Sequence, residues 1–241
     1  SMNKYFPSDY QAFIHTSRYA KWLDSENRRE NWGETVNRYV DNLVLPKITD
    51  DETVMAVREA ITNLDVMPSM RAMMSSGKAF DRDNTAGYNC SYLPVDDIRS
   101  FDEAMFILLC GTGVGFSVER QYVNELPIVP MNLINLDETI IVADSKEGWA
   151  WSLRTLITSL YNGVVPKWDV TRVRPAGAKL RTFGGRASGP APLVDLFQFV
   201  VSKFKEASGD RLTSLHCHDI MCKIGEVVVV GGVRRSAMIS L

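Results

Sequence analysis

From residue 90 onward the chain alternates short apolar segments with amphipathic helical ones, and this alternation limits it to few folds. Cys90 to Val95 reads as a buried strand ended by Pro94-Val95-Asp96-Asp97, and Ser100-Phe101-Asp102-Glu103 fits a capping box opening a helix. That helix carries Phe101, Ala104, Met105, Leu108 and Leu109 on one face and stops at Gly111-Thr112-Gly113-Val114-Gly115, before a second strand, Val114 to Val118. An apolar segment at Thr139 to Ala143 and a helix from Glu147 to Tyr161 follow, then helices at Leu193 to Lys205 and Ser214 to Val227. A last strand is expected at Val227 to Val230. Strands separated by helices predict an α/β domain with largely parallel strands.

Residues 1–64 have a different texture. Tyr10, Phe13, Ile14, Tyr19, Trp22 and Leu23 recur at helical spacing, and Glu34 to Leu43 predicts a second helix. Asp50-Asp51-Glu52 opens a third, with acids in the first turn, where the helix dipole favours them. The expected organisation is a helical module over 1–64 and an α/β domain over 65–241.

Composition excludes several classes. With 27 basic and 29 acidic residues in 241, there is no bulk field to draw the chain to nucleic acid or to an anionic membrane, so any nucleotide must be held locally. No apolar run reaches the ~18 residues of a membrane span, and the start lacks a signal-peptide core, so a cytoplasmic protein is expected. Four cysteines, Cys90, Cys110, Cys217 and Cys222, are too few and too irregular for a secreted disulfide framework.

Four constellations carry potential chemistry. The glycines of Gly111 to Gly115 are misspaced for a dinucleotide fingerprint and follow a helix instead of opening one, so they read as a sharp helix-to-strand turn. His216-Cys217-His218 with Cys222 offers four zinc-type donors, but on a helix only His218 and Cys222 share a face. No metal site is expected, and the cysteines read as small apolar fillers. Cys90, at a strand start after a polar loop, is either a buried structural thiol or a nucleophile or redox half, with the structural thiol favoured on the residues alone. The loop Gly231-Gly232-Val233-Arg234-Arg235-Ser236 is either a solvated turn or a phosphate- or base-recognition loop, since arginine gives a planar fork and glycine permits close approach.

Taken together and in order, several segments resemble the catalytic chain of a ribonucleotide reductase, most closely the adenosylcobalamin-dependent ribonucleoside-triphosphate type. They are Pro68-Ser69, Asn89-Cys90, Gly113 to Val118, Glu147-Gly148-Trp149, Arg174-Pro175-x-Gly177-Ala178, Gly184-Gly185-x-Ala187-Ser188-Gly189-Pro190, Arg211-Leu212-Thr213 and Val233-Arg234-Arg235-Ser236-Ala237. The resemblance covers nearly the whole chain and is specific as a set.

The resemblance implies the first half of a ten-stranded α/β barrel after the helical module. It implies reduction of a ribonucleotide, in which a cysteine thiyl takes the ribose 3′-hydrogen and a cysteine pair supplies two electrons as the 2′-hydroxyl leaves as water. Cys90 matches the first member of that pair. Pro68, Ser69, Asn89, Ser91 and Gly113 match the substrate pocket. Asp96 or Asp97, with Arg99 and Arg120, match the site of a dNTP or ATP specificity effector, and Gly231, Gly232, Val233, Arg234, Arg235 and Ser236 match the loop relaying effector to substrate. Adenosylcobalamin is the implied radical source, with a separate dimetal subunit as the alternative, and a thioredoxin-type protein is the implied reductant.

Three departures accompany the match. The family's Asn-Pro-Cys-x-Glu segment does not occur in these 241 residues, so a C-terminal half is an expected partner. The stretch from Pro127 to Glu147 is shorter than in the monomeric cobalamin enzyme, where an insertion replaces a second subunit, which implies a homodimer. The N-terminal module lacks the activity-regulating ATP cone. A non-catalytic nucleotide-binding or assembly module that keeps half of the fold is the alternative function.

Overall fold

The computed structural model describes residues 5–77, 90–179, 186–230 and 238–241. It divides into two compact units, Ser1–Tyr88 and Asn89–Leu241.

In the first unit, α1 (Asp9–Ile14) starts at Ser8, whose hydroxyl accepts from the Gln11 amide. Trp22 and Leu23, expected at helical spacing, instead form β1 (Trp22–Leu23), a two-residue antiparallel pair with β2 (Arg28–Arg29) across the polar turn between them. Helix α2 (Trp32–Tyr39) opens on a reciprocal capping box between Asn31 and Glu34, which satisfies two amides that the first turn leaves unbonded. Helix α3 (Asp51–Thr62) is capped by Asp50, with Asp51 and Glu52 in its first turn as expected. Helix α4 (Met70–Ser75) follows. Trp32, Val36, Val40, Val54, Ile61 and Met73 form one buried cluster. Because Met73 fills that cluster, α4 packs with the helical unit although it lies beyond residue 64.

The second unit holds a larger core and five parallel strands among the described residues. Strand β3 (Cys90–Pro94) pairs in parallel with β4 (Gly113–Ser117), which pairs in parallel with β7 (Met238–Ser240). Strands β5 (Ile134–Ile141) and β6 (Val164–Asp169) form a separate parallel pair. The crossovers are α5 (Ser100–Leu109) with the short α6 (Arg120–Val123), α7 (Lys146–Tyr161), α8 (Ala191–Glu206) and α9 (Ser214–Val230). Their buried faces, including Phe101, Leu108, Leu153, Ile157, Phe197, Phe204 and Ile224, close over Leu93, Val114 and Phe116. The fold is therefore mixed α/β, with two separate sheets among the described residues.

Two local expectations are corrected. Val227 to Val230 is not a strand but the last turn of α9, because Cys217, Ile220, Met221, Ile224, Val227 and Val228 are buried at helical spacing and packing overrides the β-branched preference. The Ser100/Glu103 capping box does not form, since the helix starts at Ser100 itself. There the Ser100 hydroxyl donates to the Pro94 carbonyl and accepts from the Asp97 amide. Strand β6 carries no clear alternation and is visible only in three dimensions. No described helix is long and apolar enough to cross a membrane.

Candidate functional site

Parallel pairing sets Cys90 beside Gly113, Ser91 beside Val114 and Tyr92 beside Gly115. Side chains alternate along a strand, so Cys90, Tyr92, Gly113 and Gly115 share one face, and Leu93, Val114 and Phe116 share the other. The second face is buried under α5 and α9, whereas Cys90 and Tyr92 are exposed. This corrects the expectation of a fully buried strand: among the described residues, helices cover only one face. Cys90 is thus an accessible free thiol at the start of β3, an edge strand of the described sheet, beside Gly113 of β4. The Ser91 hydroxyl turns the other way and donates to the Gly113 carbonyl at 3.3 Å.

The opposite ends of the same two strands carry the acidic and basic candidates. Five residues of strand, about 13 Å at ~3.3 Å per residue, separate the two ends. Asp97 Oδ1 accepts the Arg99 amide at 2.8 Å in a tight turn opening α5. Asp96 is half-buried beside it, and Arg99 is exposed. Arg120 begins α6, three residues past the end of β4, and is exposed. Because β3 and β4 run parallel, Asp97, Arg99 and Arg120 all leave the sheet from the same C-terminal end of the strands.

Pro68 and Ser69 belong to the first unit, immediately before α4, and the Ser69 side chain makes no capping bond to that helix. Asn89 and the loop Gly231 to Ser236 lie outside the described residues, as do Gly184 and Gly185.

Two features escaped the sequence reading. The first is an ion pair between α5 and α7. Arg154 donates from Nε (3.0 Å) and Nη2 (2.8 Å) to Asp102 Oδ2, while the buried Oδ1 has no partner. Burial raises the Asp102 pKa above the usual carboxylate range, and Arg154 opposes the rise. Phe106, Glu147, Ala150 and the exposed Trp151 surround the pair in a shallow cavity of about 180 Å³. The available signal was a single arginine well inside a helix whose other charged residues, Lys146 and Glu147, sit in its first turn. The second is Tyr92, whose hydroxyl is hydrogen-bonded to Tyr122 and Ser117 on the open face.

The histidine and cysteine cluster disperses as helix geometry demands. Cys217 is fully buried, and burial pushes its thiol up to about 12. His216 Nδ1 accepts the Thr213 amide at 3.1 Å, while Cys222 Sγ lies 3.8 Å from both ring nitrogens of His218. Among the described residues no group of three or more His, Cys, Asp or Glu side chains is placed to hold a metal ion.

Comparison with known proteins adds a second line of observation. Residues 132–203 match the family model described as B12-dependent ribonucleotide reductase, insertion domain. The match begins inside the stretch from Pro127 to Glu147, read above as shorter than in the monomeric cobalamin enzyme, and runs well beyond it. Adenosylcobalamin-dependent ribonucleoside-triphosphate reductases of Lactobacillus gasseri and Lactobacillus helveticus are 28% and 30% identical to the chain, across 92% of it and 40% of their own length. The alignments run over 298 and 295 positions, more than the 241 residues here, so the relatives carry residues that this chain lacks. A crystal structure of a B12-dependent (class II) ribonucleotide reductase superposes with a TM-score of 0.79 at 25% identity, over 95% of this chain and 41% of that one. The chain spans about two fifths of the length of the curated relatives it matches. In sequence and in fold it is similar to the N-terminal part of the B12-dependent ribonucleotide reductases.

Proposed function

We propose that the chain is the N-terminal portion of a ribonucleotide reductase catalytic chain, contributing one redox cysteine, part of the substrate pocket and the specificity-effector site. The observation that carries this reading is Cys90, a free and exposed thiol next to Gly113 on an open sheet face, at the position the family's motif predicts. Its chemistry suits the role: Cys90 and a second cysteine from the rest of the enzyme would each lose one hydrogen and join as a disulfide. The two electrons reduce the 2′-carbon as its hydroxyl departs as water. Adenosylcobalamin, named for the relatives, supplies the radical that starts such a reaction when bound. The accessible Cys90 thiol bears on the reducing pair and not on the radical source, for which a dimetal subunit is the alternative.

Asp97, Arg99 and Arg120 support the effector reading, since a carboxylate suits ribose hydroxyls and guanidiniums suit phosphates. Asp96 is the alternative acid. The loop Gly231 to Ser236 would relay effector identity through differential contacts. A homodimer would use the outer faces of α5 and α7, where Trp151 is 62% exposed. The natural reductant would be a thioredoxin-type protein.

Isothermal titration with dATP, dTTP and dGTP is the direct test. Binding that is lost in Arg120→Ala and weakened in Asp97→Asn is expected, and a folded sample that binds none of the three refutes the effector assignment. Turnover by the complete enzyme that requires adenosylcobalamin, and disappears in Cys90→Ser, is expected. Nucleotide binding without turnover would favour the non-catalytic module.

A further inference from the structure

Helix α4 is only six residues long, too short to hold itself together, so its place is set by what grips it. The grip is at its C-terminal end and is cationic, the sign that the dipole favours there. Arg38 Nη1 donates to the Met73 carbonyl (2.7 Å), the Ser76 carbonyl (3.1 Å) and the Ser76 hydroxyl (2.6 Å). Lys21 Nζ donates to the same Ser76 carbonyl at 2.7 Å.

Arg38 is itself fixed from behind. Its Nε and Nη2 donate to the two oxygens of Glu30, each at 2.8 Å, and Nη2 also reaches the Tyr19 carbonyl. Glu30 further accepts from the Lys21 amide and the Thr35 hydroxyl. The Glu30 and Arg38 side chains are only 6% and 12% exposed. Burial would raise the Glu30 pKa, but the Arg38 fork and the other donors outweigh it, and the carboxyl is held below its usual range.

We propose that Arg38 is a positioning residue for Ser69: by clamping the far end of α4 through a planar fork locked on Glu30, it sets where the start of that helix presents its uncapped serine hydroxyl. The inference rests on the reading of Ser69 as a substrate contact. A lysine at 38 cannot reproduce the clamp, since one ammonium cannot span Glu30 on one side and two carbonyls on the other.

The test is a double-mutant cycle on the whole chain, with binding of a ribonucleoside triphosphate and a deoxyribonucleoside triphosphate measured for Arg38→Lys, Ser69→Ala and the pair. Arg38→Lys should weaken the ribonucleotide about 10- to 100-fold, as misplacement of a contact by ~1 Å does, and leave the deoxyribonucleotide unchanged. In the Ser69→Ala background it should cost nothing more, because a residue acting through Ser69 has no effect once the hydroxyl is gone. Glu30→Gln, a milder variant, should shift ribonucleotide affinity in the same direction. Additive losses, or unchanged ribonucleotide affinity in Arg38→Lys, overturn the proposal. If the unmutated chain binds no ribonucleotide, the substrate reading fails, and amide exchange decides the clamp alone. Faster exchange confined to residues 70–76 in Arg38→Lys supports it, and unchanged protection there overturns it.

Discussion

Arg154→Met should destabilise the second unit by an amount that depends on pH in a specified direction. Asp102 is 3% exposed and its Oδ1 has no partner, so Arg154, bonded to Oδ2, supplies the main side-chain compensation for the charge, with a smaller contribution from Arg99. Removing one member of a buried pair costs about 3–5 kcal/mol. The Arg154 side chain is 33% exposed, so water recovers part of this and about 2–3 kcal/mol is expected near neutral pH. For a unit of this size that is a fall of about 5–10 °C in Tm.

The sign follows from proton uptake. Burial raises the folded Asp102 pKa above its unfolded value, so between the two values the folded state binds more protons, and stability falls as pH rises through that window. Loss of Arg154 raises the folded value further and widens the window. The penalty should be full near neutral pH and smaller at about pH 4, close to the unfolded value, because protonation of the carboxyl in the folded variant removes the unpaired charge. Urea unfolding followed by tryptophan fluorescence at the two pH values measures it. Asp102→Leu combined with Arg154→Met should regain most of the loss, because an apolar pair leaves no buried charge. A penalty equal at both pH values, or additive effects in the double variant, would refute the reasoning.

Other expectations concern single groups. Native iodoacetamide treatment should label Cys90 and Cys222 and spare Cys110 and Cys217, as read by peptide mass spectrometry. Labelling of Cys217 before unfolding would contradict its burial and its thiol at about 12. Gly189→Ala should destabilise the second unit by about 1–3 kcal/mol in thermal unfolding, because φ is +75° and the added Cβ would sit 2.9 Å from the Ala176 amide nitrogen. His15, buried against Phe6 and Trp32 and bonded to Thr35, has its pKa lowered chiefly by burial. The unfolded chain therefore takes up protons first, and the first unit should lose stability as pH falls from ~6.5 towards the folded value. His15→Gln should flatten that dependence, as followed by circular dichroism.

Periodicity read along the chain located most of the helices and the strands β3 and β4, because each buries one continuous stripe against a core. The start of α3 followed from Asp50, Asp51 and Glu52, and the turn before β4 from Gly111, whose φ is +83°. The motifs around Asn89-Cys90 and Gly113 to Val118 sufficed to relate the chain to a family, since they combine residue types that packing alone does not demand. Local signals failed where long-range contacts dominate. The valines at the end of α9 prefer extended backbone in isolation, and only the core beneath Val227 and Val228 keeps them helical.

Residue order by itself determined which chemical groups this protein carries: one thiol in a strand-opening motif, and carboxylates and guanidiniums near strand ends. Tertiary structure decided which of them meet. Parallel pairing brought Cys90 beside Gly113, sent Asp97 and Arg120 to the same C-terminal end of the strands and, among the described residues, left one sheet face without covering helices. Packing buried Asp102 against Arg154 and locked Arg38 between Glu30 and α4. Such pairings join residues 22, 52 and 38 positions apart in sequence (Ser91 to Gly113, Asp102 to Arg154, Arg38 to Ser76), and no local propensity encodes them. They arise because buried polar groups must find partners once the core has formed around them.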